Sequence, residues 1–230
     1  MPGGPFPLVS TEPTFREEHA LADGTQVTLR FIQPDDADGL RRSFARLSPR
    51  SRYQRFLAGM PELTDDMVTY LTHVDGHDHV AVVATTDSLD LKTELGIGVA
   101  RFVRLAGEPD VAEAAVTVVD DVQGKGVGRL LLTALTTLAV HRGVRAFRGE
   151  VLVENTRMCH LLAEVGATLR VVDAETLVFD VPLQGPVGAV AKQPSHPLRR
   201  LLRAAAESLG MVPMGGAGRV EAGRGGAGEE

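Results

Sequence analysis

Apolar positions along the middle of the chain follow two alternating spacings. Alternating or continuous runs of β-branched and apolar residues predict strands at residues 26–32, 79–86, 94–103, 113–119, 146–153, 167–173 and 176–181. Apolar residues three and four positions apart predict helices at residues 34–47, 128–141 and from 155 onward, and Thr64 caps a shorter helix. The order β-α-α-β-β-β-α-β-α-β-β predicts an α/β domain with a mixed sheet of about six to seven strands and about four helices.

Both ends of the chain differ in composition from this middle part. Residues 184–195 are rich in Gly, Pro and small side chains, and residues 211–230 are largely Gly, Ala, Arg and Glu, which leaves too little apolar area to offset the entropy of ordering. The predicted organisation is a flexible N-terminal tail at residues 1–23, a folded domain at 24–183 and a C-terminal tail at 184–230. Residues 196–209 have the spacing of an amphipathic helix, which would dock on its own domain or bind a membrane or a partner.

Composition and charge exclude several classes of function. A net charge of −6 gives no positive field for nucleic acid or an anionic membrane, and the absence of Trp argues against a base-stacking surface. The single cysteine, Cys159, excludes an internal disulfide and a multi-cysteine metal cluster. No apolar run has the length of a membrane span, and residues 1–9 lack the features of a signal peptide. A cytoplasmic protein is therefore expected.

Residues 116–131 form the most informative stretch, because a strand leads into a glycine-rich turn that opens directly into a helix. Gly124, Gly126 and Gly128 would let backbone amides approach a ligand. The helix start adds unpaired N–H groups and the positive end of a dipole, which suit a phosphate group. A P-loop needs Gly-Lys-Ser/Thr at its end, but Arg129 follows the last glycine. A dinucleotide-binding fingerprint that starts at Gly124 or Gly126 would need its third glycine at position 129 or 131, where Arg129 and Leu131 stand.

What remains is Gln123-x-x-Gly126-x-Gly128, which resembles motif A of the GNAT (Gcn5-related) N-acetyltransferases, and residues 154–158 (Glu-Asn-Thr-Arg-Met) resemble motif B. The resemblance covers residues 28–182 and implies the GNAT fold, with a sheet splayed in its middle, and acetyl-CoA as the co-substrate. The resemblance also implies the cofactor-binding residues. The backbone of Val116 and Val118 would bond the pantetheine. The pyrophosphate would lie in the loop formed by Gln123, Gly124, Lys125, Gly126, Val127 and Gly128, with Arg129 and Asn155 beside it.

A narrower resemblance concerns residues 47–56, 72–75 and 112–123, which are similar to the GNAT domains of bacterial protein lysine acetyltransferases. It implies a protein lysine as the acceptor. In many such proteins the domain is fused to a cyclic-nucleotide-binding or CoA-ligase-like domain, and neither fits in 230 residues, so a stand-alone enzyme, monomer or homodimer, is expected. The alternatives are acetylation of a small amine and a non-catalytic acyl-CoA-binding regulator.

Acetyl transfer to an amine requires a base, because a lysine with a pKa of about 10.4 is almost entirely protonated at pH 7. Glu113 starts the strand that enters the glycine loop, where the resembling family places its acidic base, so Glu113 is the predicted catalytic residue. Glu150 and Glu154, on the next strand and at its end, are the alternatives. GNAT enzymes often carry a tyrosine on the motif B helix to protonate the departing thiolate. Leu162 stands at that position, so water is the expected acid.

Two other groups of reactive side chains are interpreted as structural. Cys159 would need a positioned base to carry an acyl group, so a packing thiol is favoured. Residues 73–79 contain three His and two Asp, which are metal-ligating types. They flank a turn and a strand start, however, and the resembling family needs no metal. No metal site is predicted.

Overall fold

The structure is a computed structural model that describes residues 15–87, 94–164 and 166–183. Within them it contains eight strands and five α-helices. The strands are β1 (Arg16–Ala20), β2 (Gln26–Phe31), β3 (His79–Asp87), β4 (Glu94–Leu105), β5 (Glu108–Val118), β6 (Ala146–Leu152), β7 (Thr168–Val171) and β8 (Thr176–Pro182). The helices are α1 (Ala37–Ala45), α2 (Pro49–Phe56), α3 (Asp65–Thr72), α4 (Val127–His141) and α5 (Thr156–Glu164).

All eight strands form one mixed sheet in the order β1-β2-β3-β4-β5-β6-β8-β7. Neighbouring strands are antiparallel except β5 and β6, which are parallel and joined by α4. The parallel pairing consists of three residue pairs, from Val111–Ala146 to Glu113–Arg148. Beyond these pairs β5 continues to Val118 and β6 to Leu152 as the two arms of a fork that opens toward the glycine loop. The expected splay of the sheet is thereby confirmed.

Helices cover both faces of the sheet, as the alternation of side chains along β4 shows. A β-carbon at Gly98 would lie 2.9 Å from Cδ1 of Leu131 on α4. Arg101, three residues further along and therefore on the other face, donates hydrogen bonds to the carbonyl of Leu71 on α3. The core between α4 and the sheet is closed by fully buried residues such as Leu135.

The structure corrects the predicted elements at the N-terminal side. In the described residues the sheet has eight strands, against about six to seven expected, and five α-helices are present, against about four. Part of the expected N-terminal tail at residues 1–23 is β1, which pairs along its whole length with β2, and Phe15 before it is 2% exposed. The helix α2 begins after Ser48, whose side chain accepts a hydrogen bond from the Ser51 backbone N–H. Strand β5 starts at Glu108, five residues before the prediction.

The C-terminal tail at residues 184–230, with its expected amphipathic helix at 196–209, lies outside the described residues. None of the helices in the described part of the chain combines the length and the hydropathy needed to cross a bilayer.

Candidate active site

A buried ion network around Arg148, whose side chain is 1% exposed, closes the base of the fork. Its Nε donates to Oδ1 of Asp180 at 2.6 Å, and its Nη1 donates to the two carboxylate oxygens of Glu108 at 3.1 and 3.2 Å. Asp180 also accepts a hydrogen bond from Nη2 of Arg170 at 3.1 Å. Two carboxylates thus compensate one buried guanidinium, and they tie β5, β6, β7 and β8 together where the fork begins.

The glycine loop at the open end of the fork is shaped to receive an anion. Gly124 and Gly126 adopt φ angles of 82° and 97°, which residues with a β-carbon avoid. A β-carbon at either position would meet no atom within 4 Å, so both glycines border open space. The first helical hydrogen bond of α4 runs from the Leu130 N–H to the Gly126 carbonyl. The N–H groups of the first three residues of α4 therefore have no partner within the helix, and they point with its positive dipole end toward the loop.

The side chain of Gln123 holds this loop to the end of β5. Its Nε2 donates to the Val118 carbonyl at 3.0 Å and to Oδ1 of Asp120 at 3.1 Å. Its Oε1 accepts from Nη1 of Arg157 at 3.0 Å. Asp120 also accepts from the backbone N–H of Ser48 at 3.0 Å, which anchors the loop to the start of α2. The side chain of Gln123 therefore fixes the loop to the end of β5 and to the start of α5.

The two charged residues predicted at the rim of the loop are both paired with carboxylates. Nζ of Lys125 lies 3.1 Å from Oδ2 of Asp23, and Nη2 of Arg129 lies 2.5 Å from Oε2 of Glu164. All four side chains are substantially exposed, so neither pair contributes much to stability. Val127 is 1% exposed; its side chain belongs to the core, and only its N–H group faces the loop.

The remaining predicted cofactor-binding residues lie on the two arms of the fork. Val116 and Val118 are half-buried on β5, where they pair with β4 beyond the last residue that pairs with β6. Asn155 follows β6, and its Oδ1 accepts a hydrogen bond from the Met158 N–H at 3.2 Å. Asn155 therefore caps α5. The structure brings the glycine loop, the β5 arm and the start of α5 together at the open end of the fork.

Glu113 lies at the base of the fork, in the last residue pair before β5 and β6 separate. It pairs with Val103 of β4, so its side chain is on the α3 face of the sheet, together with Arg101. Burial lowers the pKa of the half-buried Arg55 guanidinium to about 10, and the negative charge of Glu113 acts in the opposite direction. Burial also raises the pKa of Tyr70; Arg101 opposes this rise, and Glu113 adds to it. Arg55 and Tyr70 are thus electrostatic neighbours of Glu113.

A buried polar cluster adjoins Glu113 on the same face. Arg101 is 2% exposed, and it donates to the Leu71 carbonyl at 3.1 and 3.2 Å and to Nε2 of His79 at 3.1 Å. The His79 ring lies 4.9 Å from the Tyr70 ring. Burial, together with the charge of Arg101, lowers the pKa of His79 to about 4. Since Nε2 accepts a hydrogen bond, we assign the neutral imidazole proton to Nδ1.

The alternative bases occupy different positions. Glu150 lies two residues after Arg148, so the alternation along β6 places it on the same face as Glu113. Glu154 is exposed in the turn between β6 and α5. Leu162, which stands where a tyrosine is common in the resembling family, is 6% exposed and packs in the core. Cys159 packs partly buried against the core, with its Sγ 3.9 Å from the Leu152 carbonyl.

The histidine-rich segment at residues 73–79 forms a turn. Oδ1 of Asp75 accepts hydrogen bonds from three consecutive backbone N–H groups, at residues 77–79, each at 2.8 Å. His77 pairs with Asp78 on the surface, whereas His79 turns inward to Arg101. In residues 15–87, 94–164 and 166–183, no group of three or more His, Cys, Asp or Glu side chains is placed to hold a metal ion.

Sequence reasoning missed three arginines that the structure places at the fork, namely Arg55, Arg148 and Arg157. Two of them bond a partner far away in the chain: Arg157 meets Gln123 across 34 residues and Arg148 meets Asp180 across 32 residues. Periodicity reports only local structure. Of the three, only Arg157 could have been found from the sequence as a site residue, because Arg157 lies inside the stretch that resembles motif B.

The chain matches a family model described as an acetyltransferase (GNAT) domain over residues 26–168. The chain therefore belongs to the GNAT acetyltransferase family. Acetyltransferase Pat of Mycolicibacterium smegmatis is 32% identical over 166 residues, which cover 72% of this chain and 48% of that relative. The chain thus spans about half the length of this relative.

Solved structures agree with this assignment. The GNAT domain of S. lividans PAT superposes with a TM-score of 0.66 and 30% identity, covering 73% of this chain and 96% of that domain. YncA of Salmonella typhimurium, solved with acetyl-CoA, has a TM-score of 0.56, covering 72% of this chain and 99% of that one. At 18% identity, YncA shows the fold alone.

Proposed function

We propose that the protein is an acyl-CoA-dependent N-acetyltransferase of the cytoplasm that moves an acetyl group directly to a primary amine, with a protein lysine as the acceptor. The observation that carries the proposal is the fork between β5 and β6, which opens onto a glycine loop with unpaired helix N–H groups. Membership of the GNAT family supports the reaction class, and the likeness to Acetyltransferase Pat and the S. lividans PAT domain supports a protein acceptor.

The residues present fit acetyl-CoA, as the open space beside Gly124 and Gly126 indicates. The loop amides from Gln123 to Gly128 would hold the pyrophosphate, and the backbone around Val116 and Val118 would hold the pantetheine amides. When bound, acetyl-CoA supplies the acetyl group as a reactive thioester. Backbone N–H groups on the free edge of β5 would polarise a carbonyl placed in the fork.

Glu113 is the proposed base. Its carboxylate would accept the proton of the incoming ammonium group, which is required before the nitrogen can attack. Its place in the last β5–β6 pair puts it at the inner end of the fork, where the acceptor and the thioester would meet. Leu162 packs in the core and cannot donate a proton, so water is proposed to protonate the departing CoA thiolate. A thiol with an ordinary pKa of about 8.5 leaves readily as a thiolate.

The first experiment tests acetyl-CoA binding. Acetyl-CoA should raise the melting temperature of the wild type by mass action, and Gly126→Asp, which places a carboxylate in the loop, should abolish the rise. Gly107→Asp is the matched control, because Gly107 also has a positive φ and open space but lies in the β4–β5 turn at the other end of β5. Equal stabilisation by ATP or NADH with none by CoA would overturn the proposal.

The second experiment identifies the acceptor. Turnover of acetyl-CoA is measured with a panel of lysine peptides, polyamines, aminoglycosides and amino acids. Preference for the peptides supports a protein acceptor, whereas preference for one of the other classes assigns a small amine. Tight acyl-CoA binding with no turnover of any amine would replace the enzyme by an acyl-CoA-binding regulator, the alternative that the absence of a tyrosine at position 162 leaves open.

A further inference from the structure

Three cationic side chains surround the glycine loop, and their partners differ in charge. Lys125 and Arg129 are each paired with a carboxylate, at 3.1 and 2.5 Å. Arg157 instead donates to the neutral Oε1 of Gln123 at 3.0 Å. Within residues 15–87, 94–164 and 166–183, Arg157 forms no ion pair with a carboxylate. Of the three cations, Arg157 is therefore the one whose positive charge no acidic side chain compensates.

The position of Arg157 is not explained by the stability of its helix. It is the second residue of α5, in the first turn, where a cation faces the positive end of the helix dipole and is unfavourable. An exposed hydrogen bond to a neutral amide offsets little of this cost. A cation placed against the dipole and beside an anion-binding loop indicates a role toward a ligand.

The Gln123–Arg157 hydrogen bond also joins the two arms of the fork. Gln123 is fixed to the β5 arm through the Val118 carbonyl and Asp120, and Arg157 follows the β6 arm. A guanidinium has five N–H donors in a planar arrangement, so one bond to Gln123 leaves the others free. Arg157 can therefore remain oriented by Gln123 while it presents a second edge to the loop.

We propose that Arg157 is a phosphate-binding residue of the acyl-CoA site, oriented by Gln123 so that its guanidinium bonds the pyrophosphate held by the loop amides. The inference rests on the proposed function. It assigns Gln123 the role of a positioning residue, and it makes the bound pyrophosphate a bridge between the two arms. Arginine suits this role because its planar donors match phosphate oxygens in a bidentate manner.

The test compares the affinities of acetyl-CoA and its dephospho form, which lacks the 3′-phosphate, for the full chain. Arg157→Gln should weaken both ligands about tenfold, as expected for loss of a charge-assisted hydrogen bond. Arg157→Lys keeps the charge but not the bidentate geometry, and it should lose about threefold. The matched control is Arg145→Gln, which removes an exposed arginine at the start of β6, at the closed end of the fork. It should change either affinity by less than about twofold.

The outcomes separate the possible explanations. If Arg157→Gln weakens acetyl-CoA but not the dephospho form, Arg157 binds the 3′-phosphate and the pyrophosphate assignment is wrong. If the melting temperature of unliganded Arg157→Gln falls well below that of Arg145→Gln, the role is structural and the inference is overturned. Unchanged affinity in Arg157→Gln, with normal binding by the wild type, also overturns it. Failure of the wild type to bind acetyl-CoA at all would instead overturn the proposed function.

Discussion

At the scale of single residues, the surroundings of Glu113 distinguish it from the two other candidate bases. It belongs to the last residue pair that joins β5 to β6, and Arg55 and Tyr70 respond to its charge. Glu154 is exposed in a turn, and Glu150 lies further along the opposite arm. A proton taken up at Glu113 would therefore be received at the inner end of the fork rather than at the protein surface.

Glu113→Gln keeps the size and the hydrogen-bonding capacity of the side chain but removes the base. The turnover rate should fall about 10²–10⁴-fold at neutral pH, with little change in acetyl-CoA affinity. Raising the pH should partly rescue the variant, because the fraction of free lysine amine grows about tenfold per pH unit below its pKa of about 10.4. Steady-state rates across a pH series, together with a binding titration, measure both effects.

Glu150→Gln and Glu154→Gln are the matched controls for this variant. A near-native rate in Glu113→Gln, alongside a collapse in one of these two, would move the base to the β6 arm or its end. Near-native rates in all three would mean that water removes the proton.

The buried imidazole of His79 makes a pH-dependent contribution to stability. Its pKa is about 4 in the folded protein and 6.5 ordinarily, so between these values the unfolded chain binds a proton that the folded protein does not. Stability should therefore fall as the pH falls through this window, by on the order of 1–3 kcal/mol for this group, and the group contributes nothing above it. Urea unfolding at several pH values measures the slope.

His79→Gln should flatten that slope, because glutamine can accept the hydrogen bond from Arg101 without titrating. His160→Gln, an exposed histidine on α5, is the control and should follow the wild type. Parallel slopes in all three proteins would show that His79 is not the group responsible.

At the scale of elements, the position of the glycine loop depends on how closely α4 approaches β4. A β-carbon at Gly98 would lie 2.9 Å from Cδ1 of Leu131, 3.0 Å from the Thr117 carbonyl oxygen and 3.4 Å from Cγ1 of Val127. Val127 is the first residue of α4, so Gly98 determines how deeply the start of this helix is seated against the sheet.

Gly98→Ala should lower the free energy of unfolding by about 1–3 kcal/mol through overpacking, and it should weaken acetyl-CoA binding because the loop is displaced together with α4. Gly39→Ala provides the contrast. Gly39 lies in α1, where a β-carbon would meet one atom, at 3.9 Å, so this variant should gain about 0.5–1 kcal/mol from helix propensity. Denaturant unfolding and an acetyl-CoA titration measure both, and unchanged values for Gly98→Ala would contradict the close packing of α4.

The elements that the sequence predicts differ from those that it misses in how their side chains are buried. Strands β2 to β8 and helices α1, α3, α4 and α5 have an apolar face or a capping residue, and the periodicity predicts them. Strand β1 (Arg-Glu-Glu-His-Ala) alternates between exposed and half-buried polar residues at the sheet edge, so its pairing with β2 depends on backbone hydrogen bonds. Helix α2 is mostly polar, with three arginines among its eight residues, and contains no buried residue, so it has no apolar stripe to detect.

The same limit applies to the candidate site. The glycine loop is visible in the sequence because the loop and its flanking strand and helix are contiguous. The partners of Lys125, Arg129 and Arg157 are not visible, because Asp23, Glu164 and Gln123 meet them only after folding.

At the scale of the whole molecule, residues 1–183 should be sufficient for folding and acetyl-CoA binding. Strand β8 pairs on both sides within the sheet, and the Leu183 N–H donates to the Arg145 carbonyl at 2.8 Å. A chain ending after Leu183 should therefore keep a cooperative melting transition and its acetyl-CoA affinity. Insolubility or lost binding would show instead that residues 184–230 complete the core or a dimer interface, which size-exclusion chromatography of the two chains would distinguish.

The short parallel pairing between β5 and β6 divides the sheet into two parts of different size. Five strands lie on one side and three on the other. Three residue pairs, the Arg148 network and the hydrophobic core join them, and in that core Phe102 of β4 packs against Phe147 of β6. This junction is the line along which the native state should open first without unfolding globally. A ligand that bonds both arms would act there as an added cross-strand connection, so its binding would also raise the resistance of the sheet to opening along this line.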